Sequence, residues 1–417
     1  MGAGIGIIDL GRDRIAGRRF GSGYTRSVTG TAGPLTRDGP RTGGVERGSI
    51  VTAEDGGSER RRRVLWRQRG RVPLAEQSLL FGLSFAAFAA LGIWVTVNME
   101  VVAFDSAFRA LHAYAALYND PPKLAAIGFV WPPLMTLTYL PFVAIKPLAT
   151  SLVAIPVYSA VFAGGTLVAL NRVLAFLEWR RLLRLALLVA FALNPLFVHY
   201  ATNGMAEILV MFLTVLAIDQ FIRWVHSGLI ENLTLCAVAT TACVLSRYEM
   251  APFALALAAA VAAVAWRRRA TGSDVEADLI LFGAPVLYGV GAWIFFNWIV
   301  MGDPLHFLGR EIEERFVLEG ERSVAEGGSG GARPEGILHL LGAIVDVNWQ
   351  VFAVTLLVVP ALLVLAVKRR DLIALTLATL SLINPVTTAA AVMRSDLSLL
   401  QLRFNMRTMP IVLIGIG

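Results

Sequence analysis

The chain has 417 residues, of which 56% are hydrophobic and 16% charged, with a formal net charge of +7 and a mean hydropathy of +0.65. Soluble domains run to about 45–50% apolar and about 25% charged residues, so this composition excludes a soluble globular domain. Most of the positive charge sits in residues 1–74, where Arg12, Arg14, Arg18, Arg19, Arg26 and the run Arg60–Arg63 lie; aromatics are sparse there, which argues against a nucleic-acid module.

Residues 1–74 are rich in Gly, Arg, Ser and Thr and poor in apolar side chains, the composition of a disordered segment. Basic flanks stay in the cytoplasm, so the first span, about Ser78 to Val101, is expected to run outward. A first outer loop follows at 102–127, with an amphipathic stretch from Ala107 to Tyr118 suited to the interface. The next apolar run, 128–147, is short and carries Pro132, Pro133, Pro141 and Pro147. Its proline content and the parity of its neighbours predict a re-entrant or partly inserted segment.

Arg180, Arg181 and Arg184 assign a cytoplasmic turn between spans at 150–176 and 183–199. Spans follow at 206–223, 231–246, 250–266 and 279–301, with Arg223, His226 and Arg267–Arg269 at inner ends. A large outer loop at 302–335 contains Glu311, Glu313, Glu314 and a Gly-rich stretch. Spans at 350–367 and 372–390 flank Lys368, Arg369 and Arg370, and the chain ends in what reads as an unfinished span, so a longer natural protein is expected. The fold class is therefore all-α and polytopic, with roughly 9–11 spans in a membrane domain at 75–417. Cys236 and Cys243 share one apolar run and offer neither a disulfide framework nor metal-ligand spacing.

On that topology the outer ends of the spans collect unusual polar groups. Asp105 follows the first span, and Asn194, His199, Tyr200, Asn203 and Glu207 flank a second turn. Arg247, Tyr248 and Glu249 form a third, Asn297 and Asp303 a fourth, and Arg394, Arg403, Asn405 and Arg407 a fifth. Ionisable groups near the membrane core are costly and mark sites or pathways. Outer arginines oppose the positive-inside trend, and a bound anion would account for them. Blander readings stand beside these: Asp105 as a helix cap, Arg247 paired with Glu249, Asp303 as a turn former before Pro304.

In this order the residues resemble the GT-C superfamily of polyprenyl-phosphate-sugar-dependent glycosyltransferases. That superfamily includes protein O-mannosyltransferases, lipid A aminoarabinose transferases and mycobacterial cell-envelope mannosyl- and arabinosyltransferases. Asp105 stands where the family carries its catalytic aspartate. Trp131-Pro132-Pro133-Leu134 matches its aromatic-Pro-Pro-Leu element. Asn194-Pro195 with Gly204-Met205-Ala206-Glu207 resembles its second outer turn, and Arg247-Tyr248-Glu249, Phe296-Asn297-Trp298 with Gly302-Asp303-Pro304-Leu305, and Arg403 to Pro410 are similar to later elements. The chain departs from the family in two places. No Lys precedes Pro132-Pro133, and no acidic pair follows the first span, so subfamily, sugar and acceptor stay open.

The resemblance implies a bacterial inner-membrane enzyme whose N-terminus is cytoplasmic and whose active site is extracytoplasmic. It implies transfer with inversion from a polyprenyl-phosphate sugar to a glycan, lipid or protein acceptor, with Asp105 as general base. Glu207, His112, Tyr200 and Asn203 would bind acceptor or sugar, and Arg247, Arg403 and Arg407 the donor phosphate. No cofactor is required, and a divalent metal is neither demanded nor barred by residue spacing; the partners are these substrates and membrane lipid, not nucleic acid. The competing reading is a secondary transporter or lipid flippase, which would gather its charges at mid-membrane in broken helices.

Overall fold

A computed structural model describes residues 70–129, 131–268, 272–308, 337–394 and 408–416. The chain divides into two units, Met1–Thr52 and Ala53–Gly417, and everything described belongs to the second. Residues 1–69, the bulk of the expected disordered segment, lie outside the described residues, as does most of the 302–335 loop.

The described residues are helical and contain no strand. In chain order the helices are α1 Leu74–Ile93, α2 Phe104–Tyr118, α3 Pro133–Val143, α4 Lys146–Thr150, α5 Ala154–Phe176, α6 Arg181–Ala192 and α7 Pro195–Thr202. Then come α8 Ala206–Ser227, α9 Ile230–Ser246, α10 Ala251–Arg267, α11 Gly272–Met301, α12 Ile337–Arg369, α13 Leu372–Arg394 and α14 Thr408–Ile416. Among the described residues, five segments are long and apolar enough to cross a membrane: Leu74–Asn98, Ala154–Phe176, Ala206–Ser227, Tyr248–Arg267 and Gly272–Met301. Counting the bent pair α6–α7 as one span makes six. Large apolar side chains on outward faces, such as Leu79 and Leu83 of α1 and Leu287, Phe295 and Trp298 of α11, are exposed. In water that would be a liability; against lipid it is the expected surface.

One end of the bundle is basic, as the arginine clusters imply. Glu76 at the start of α1 receives Arg184 at 2.6 Å and Arg181 at 2.9 Å from the start of α6, and the Asn171 amide near the end of α5 at 3.0 Å. Asp219 of α8 pairs with Arg223 at 2.7 Å and faces Arg172 of α5 at 3.8 Å. Arg268, just past α10, donates to the carbonyls of Trp224 and Val225 at the end of α8. Arg267 reaches the carbonyl of Arg370 between α12 and α13. Each arginine meets a carboxylate or the electron-rich carbonyl end of a helix, where a cation is favoured.

The far end holds α2, α3, α7 and the turns after α9 and α11. Helices in lipid gain little from hydrophobic burial against each other and approach closely where side chains are small. Gly92 shows this: a Cβ there would stand 2.5 Å from Pro156 and 3.0 Å from the Thr202 carbonyl, so it brings α1, α5 and α7 together.

Two expectations take a sharper form. The 128–147 run contains α3, which at 11 residues is too short to cross. The Tyr118 hydroxyl of α2 donates to the Ala144 carbonyl at 2.6 Å just after α3, holding it at the same end as α2. The 183–199 run, expected as one span, is instead broken: α6 and α7 meet at 69°. Pro195 cannot continue the α6 hydrogen-bond ladder, and the Asn194 side chain caps the new helix by accepting from the amides of Leu196 and Phe197 at 3.0 and 3.3 Å.

Candidate functional site

At the end opposite the basic one, three elements bring a set of ionisable side chains together. Helix α2 supplies Asp105 and Arg109, which one helical turn sets on the same face. The first turn of α8 supplies Glu207, and the turn after α9 supplies Arg247 and Glu249.

Glu207 is fully buried and Arg247 only 9% exposed. Arg247 donates through Nη1 to Glu207 at 2.9 Å, and through Nε and Nη2 to the two oxygens of Glu249 at 3.2 Å each. Burial opposes its charge, yet Glu249 and Glu207 outweigh that and hold its pKa above the ordinary arginine value. Its fork is thus taken up by two carboxylates from two elements, and the pairing with Glu249 is the bland alternative realised.

Arg109 is 5% exposed, and its guanidinium lies 4.8 Å from the centre of the Trp131 ring. Its Nε and Nη1 have no hydrogen-bond partner. Burial first, then the nearby charge of Arg247, push its pKa down, while Asp105 and Glu207 draw it back up. Asp105 is half-buried, and no partner for its carboxylate is found among the described residues. Three further buried groups at this end are unpaired: Ser106 Oγ, one turn from Arg109 on α2, Asn203 Nδ2, in the turn that packs on Ser106, and Glu207 Oε2. Buried polar atoms in folded proteins are almost always satisfied, so such a group of exceptions in one place calls for an explanation.

The backbone beneath is held firmly. Gly204 has φ +74°, a left-handed conformation, and a Cβ there would fall 2.4 Å from Ile155, 2.5 Å from the Tyr139 hydroxyl and 3.1 Å from Ser106 Cβ. Its N–H donates to Ser159 Oγ, and its carbonyl accepts from Tyr139 at 2.7 Å. Asn203 Oδ1 accepts from the Met205 amide at 3.0 Å, which aims its amide nitrogen. The Tyr139 and Tyr158 rings stack with centroids 3.8 Å apart, forming the floor.

Against family models, curated proteins and solved structures, the chain finds no match. Its own geometry must carry any assignment.

The remaining candidates spread around this centre. His112 contacts the Ile127 carbonyl through Nδ1 at 3.1 Å and packs on Phe108, whose ring meets Trp131 edge-on at 5.4 Å. Tyr200 is buried in the main apolar core, with the exposed His199 beside it. Trp293 of α11 donates to the Tyr248 hydroxyl at 2.9 Å and stacks with Phe129 at 5.2 Å, tying the Arg247 turn to the first loop. Asn297 is buried, donating to the Trp293 carbonyl at 2.9 Å. Asp303 is exposed and caps its own turn by accepting from the Leu305 amide at 3.0 Å, as the Gly-Asp-Pro string implies. Arg394 ends α13, while Arg403, Asn405 and Arg407 lie outside the described residues. Among the described residues no three His, Cys, Asp or Glu side chains are grouped to hold a metal ion.

An apolar groove of about 390 Å³ lies among α1, α5, α6 and α7, lined by Leu80, Leu83, Phe88, Leu188, Val189 and Val198 among others. Helix α7 links it along the chain to the site end: Val198 lines the groove, and Asn203, the residue after the helix, carries one of the unpaired donors.

Proposed function

We propose that this chain is a membrane glycosyltransferase using a polyprenyl-phosphate sugar, as its resemblance to the GT-C superfamily implies. The observation that carries the reading is one cluster: a half-buried, unpaired carboxylate at Asp105, two buried guanidiniums and a fully buried carboxylate, all at the end away from the basic one. The apolar groove among α1, α5, α6 and α7 supports it, having the character a polyprenyl chain needs.

In the proposed reaction Asp105 takes the proton of an acceptor hydroxyl. The oxygen attacks the anomeric carbon from the face opposite the phosphate, and the carbon–oxygen bond to phosphate breaks with its electron pair leaving on the phosphate. Configuration is inverted, and the transition state has oxocarbenium character. Glu207 and Asn203 face the acceptor or sugar, with His112 and Tyr200 further out. A guanidinium of the cluster neutralises the departing phosphate. Arg403 and Arg407 are proposed as further phosphate ligands from the sequence resemblance alone. Arg247 is already paired, so its part is to hold Glu207 in place. The site would face the outside of a bacterial cytoplasmic membrane, with glycan, lipid or protein as acceptor.

The bend between α6 and α7 beside the site is the feature a transporter would share. Proteoliposomes containing the purified protein separate the readings. Released polyprenyl phosphate and glycosylated acceptor are expected from the wild type and not from Asp105→Asn. Equal release by correctly folded Asp105→Asn, or movement of substrate across the bilayer without sugar transfer, would overturn the proposal.

A further inference from the structure

Guanidinium groups buried in proteins are nearly always paired, because an unpaired charge away from water is among the costliest arrangements a fold can contain. The two arginines of the site differ on this point. Arg247 is engaged by Glu207 and Glu249 through all three of its nitrogens. Arg109 is more deeply buried, yet it lies over the face of Trp131 and leaves Nε and Nη1 without a hydrogen-bond partner. Stacking on an aromatic ring covers the plane of a guanidinium and leaves its edges, where the N–H groups lie, for a ligand.

Nearby groups point the same way. Asn203 Nδ2 is a second unpaired donor, and Ser106 Oγ, one helical turn from Arg109 along α2, can act as a third. Asn203 cannot rotate its amide away cheaply, because Oδ1 is held by the Met205 amide. The unpaired set is therefore rich in donors and contains one acceptor, Glu207 Oε2. Three sources of N–H or O–H donors around a buried positive charge match the several acceptor oxygens of a phosphate ester.

We infer that Arg109, together with Asn203 and Ser106, is the group that binds the phosphate of the ligand, and that Arg247 is not. This deepens the transferase proposal and rests on it for the identity of the ligand as a polyprenyl phosphate. The anion site itself stands on the unpaired donors. With the phosphate on Arg109, the leaving group lies one helical turn along α2 from Asp105. One short helix then carries both the proton acceptor and the phosphate ligand, and any shift of α2 would move them together.

The test uses the full chain in lipid nanodiscs and follows thermal unfolding during titration with inorganic phosphate, a C55 polyprenyl phosphate and the uncharged C55 polyprenol. The wild type is expected to be stabilised by at least one of the phosphates and not by the polyprenol. Arg109→Gln should weaken that binding by about tenfold or more, and Arg109→Lys, which keeps the charge without the fork, should fall between. Unchanged melting of the free variants would show that they fold. Stabilisation by the lipid phosphate identifies a headgroup site. Stabilisation by inorganic phosphate alone still supports the anion site while removing the polyprenyl donor. Equal binding by wild type and Arg109→Gln, or no binding of either phosphate to the wild type, would overturn the inference. Loss of phosphate binding in Arg109→Gln with no sugar transfer by the wild type would leave the anion site standing and remove only the transferase.

Discussion

At the level of single residues, the carboxylates of the cluster play different parts. Asp105 is half-buried and unpaired, the state a general base needs, whereas Glu207 is buried against Arg247 at 2.9 Å. Asp105→Asn should lower transfer by roughly 10²–10⁴-fold without changing the melting temperature, because no described contact is lost; rates and melting curves of the purified variant check both. Glu207→Gln should instead lower the melting temperature. It leaves Arg247 with one carboxylate partner in a buried setting, and breaking buried pairs typically costs about 3–5 kcal/mol. A stable Glu207→Gln would mean that Glu249 alone satisfies Arg247. Asp105, Glu207 and Arg247 were legible in the sequence because each interrupts or ends an apolar run. Arg109 was missed. It lies in the polar stripe of an amphipathic stretch, where a solvated arginine is the ordinary expectation, and only the packing of Trp131 above it removes the water. Its spacing of four from Asp105 was the signal available.

Among the elements, the joint between α7 and α8 sets the site. Gly204 turns the chain with a positive φ under Ile155, Tyr139 and Ser106, so that Asn203 and Glu207 face α2. Gly204→Ala would place a methyl inside the contact distance of all three and strain the backbone by about 1–3 kcal/mol. A lower melting temperature and reduced transfer together are expected. Loss of activity with unaltered melting would show that the turn is not under this constraint. The apolar runs predicted the long helices well, since a lipid-facing span needs only length and hydropathy. They failed at 183–199, where hydropathy continues through a break made by Asn194 and Pro195. Local hydrogen-bonding chemistry, not hydrophobicity, decides there. The 128–147 run, expected from its prolines to be re-entrant or partly inserted, holds the 11-residue α3, which starts at Pro133 and keeps Pro141 inside it.

Over the described helical bundle as a whole, charge is divided between two ends. Basic side chains are anchored by Glu76, Asp219 and helix carbonyls at one end, and the mixed cluster occupies the other. Glu76→Leu should destabilise the fold, because the buried Arg184 loses its carboxylate; a melting temperature equal to the wild type would argue that water satisfies Arg184 instead. The sequence showed this division through the positive-inside bias but did not show which polar groups meet, since side chains distant in the chain come together only through helix packing.

Sidedness is the most direct measurement of whether the polar cluster faces the donor and acceptor of an extracytoplasmic transfer. Asp303→Cys, exposed at the site end, and Arg267→Cys, at the basic end, can be treated in intact cells with a membrane-impermeant thiol reagent. The native Cys236 and Cys243 are buried and should not react. Labelling at 303 in intact cells, with 267 labelled only after permeabilisation, is the expected result. Labelling at 303 only after permeabilisation would turn the cluster to the cytoplasm and contradict the proposed reaction.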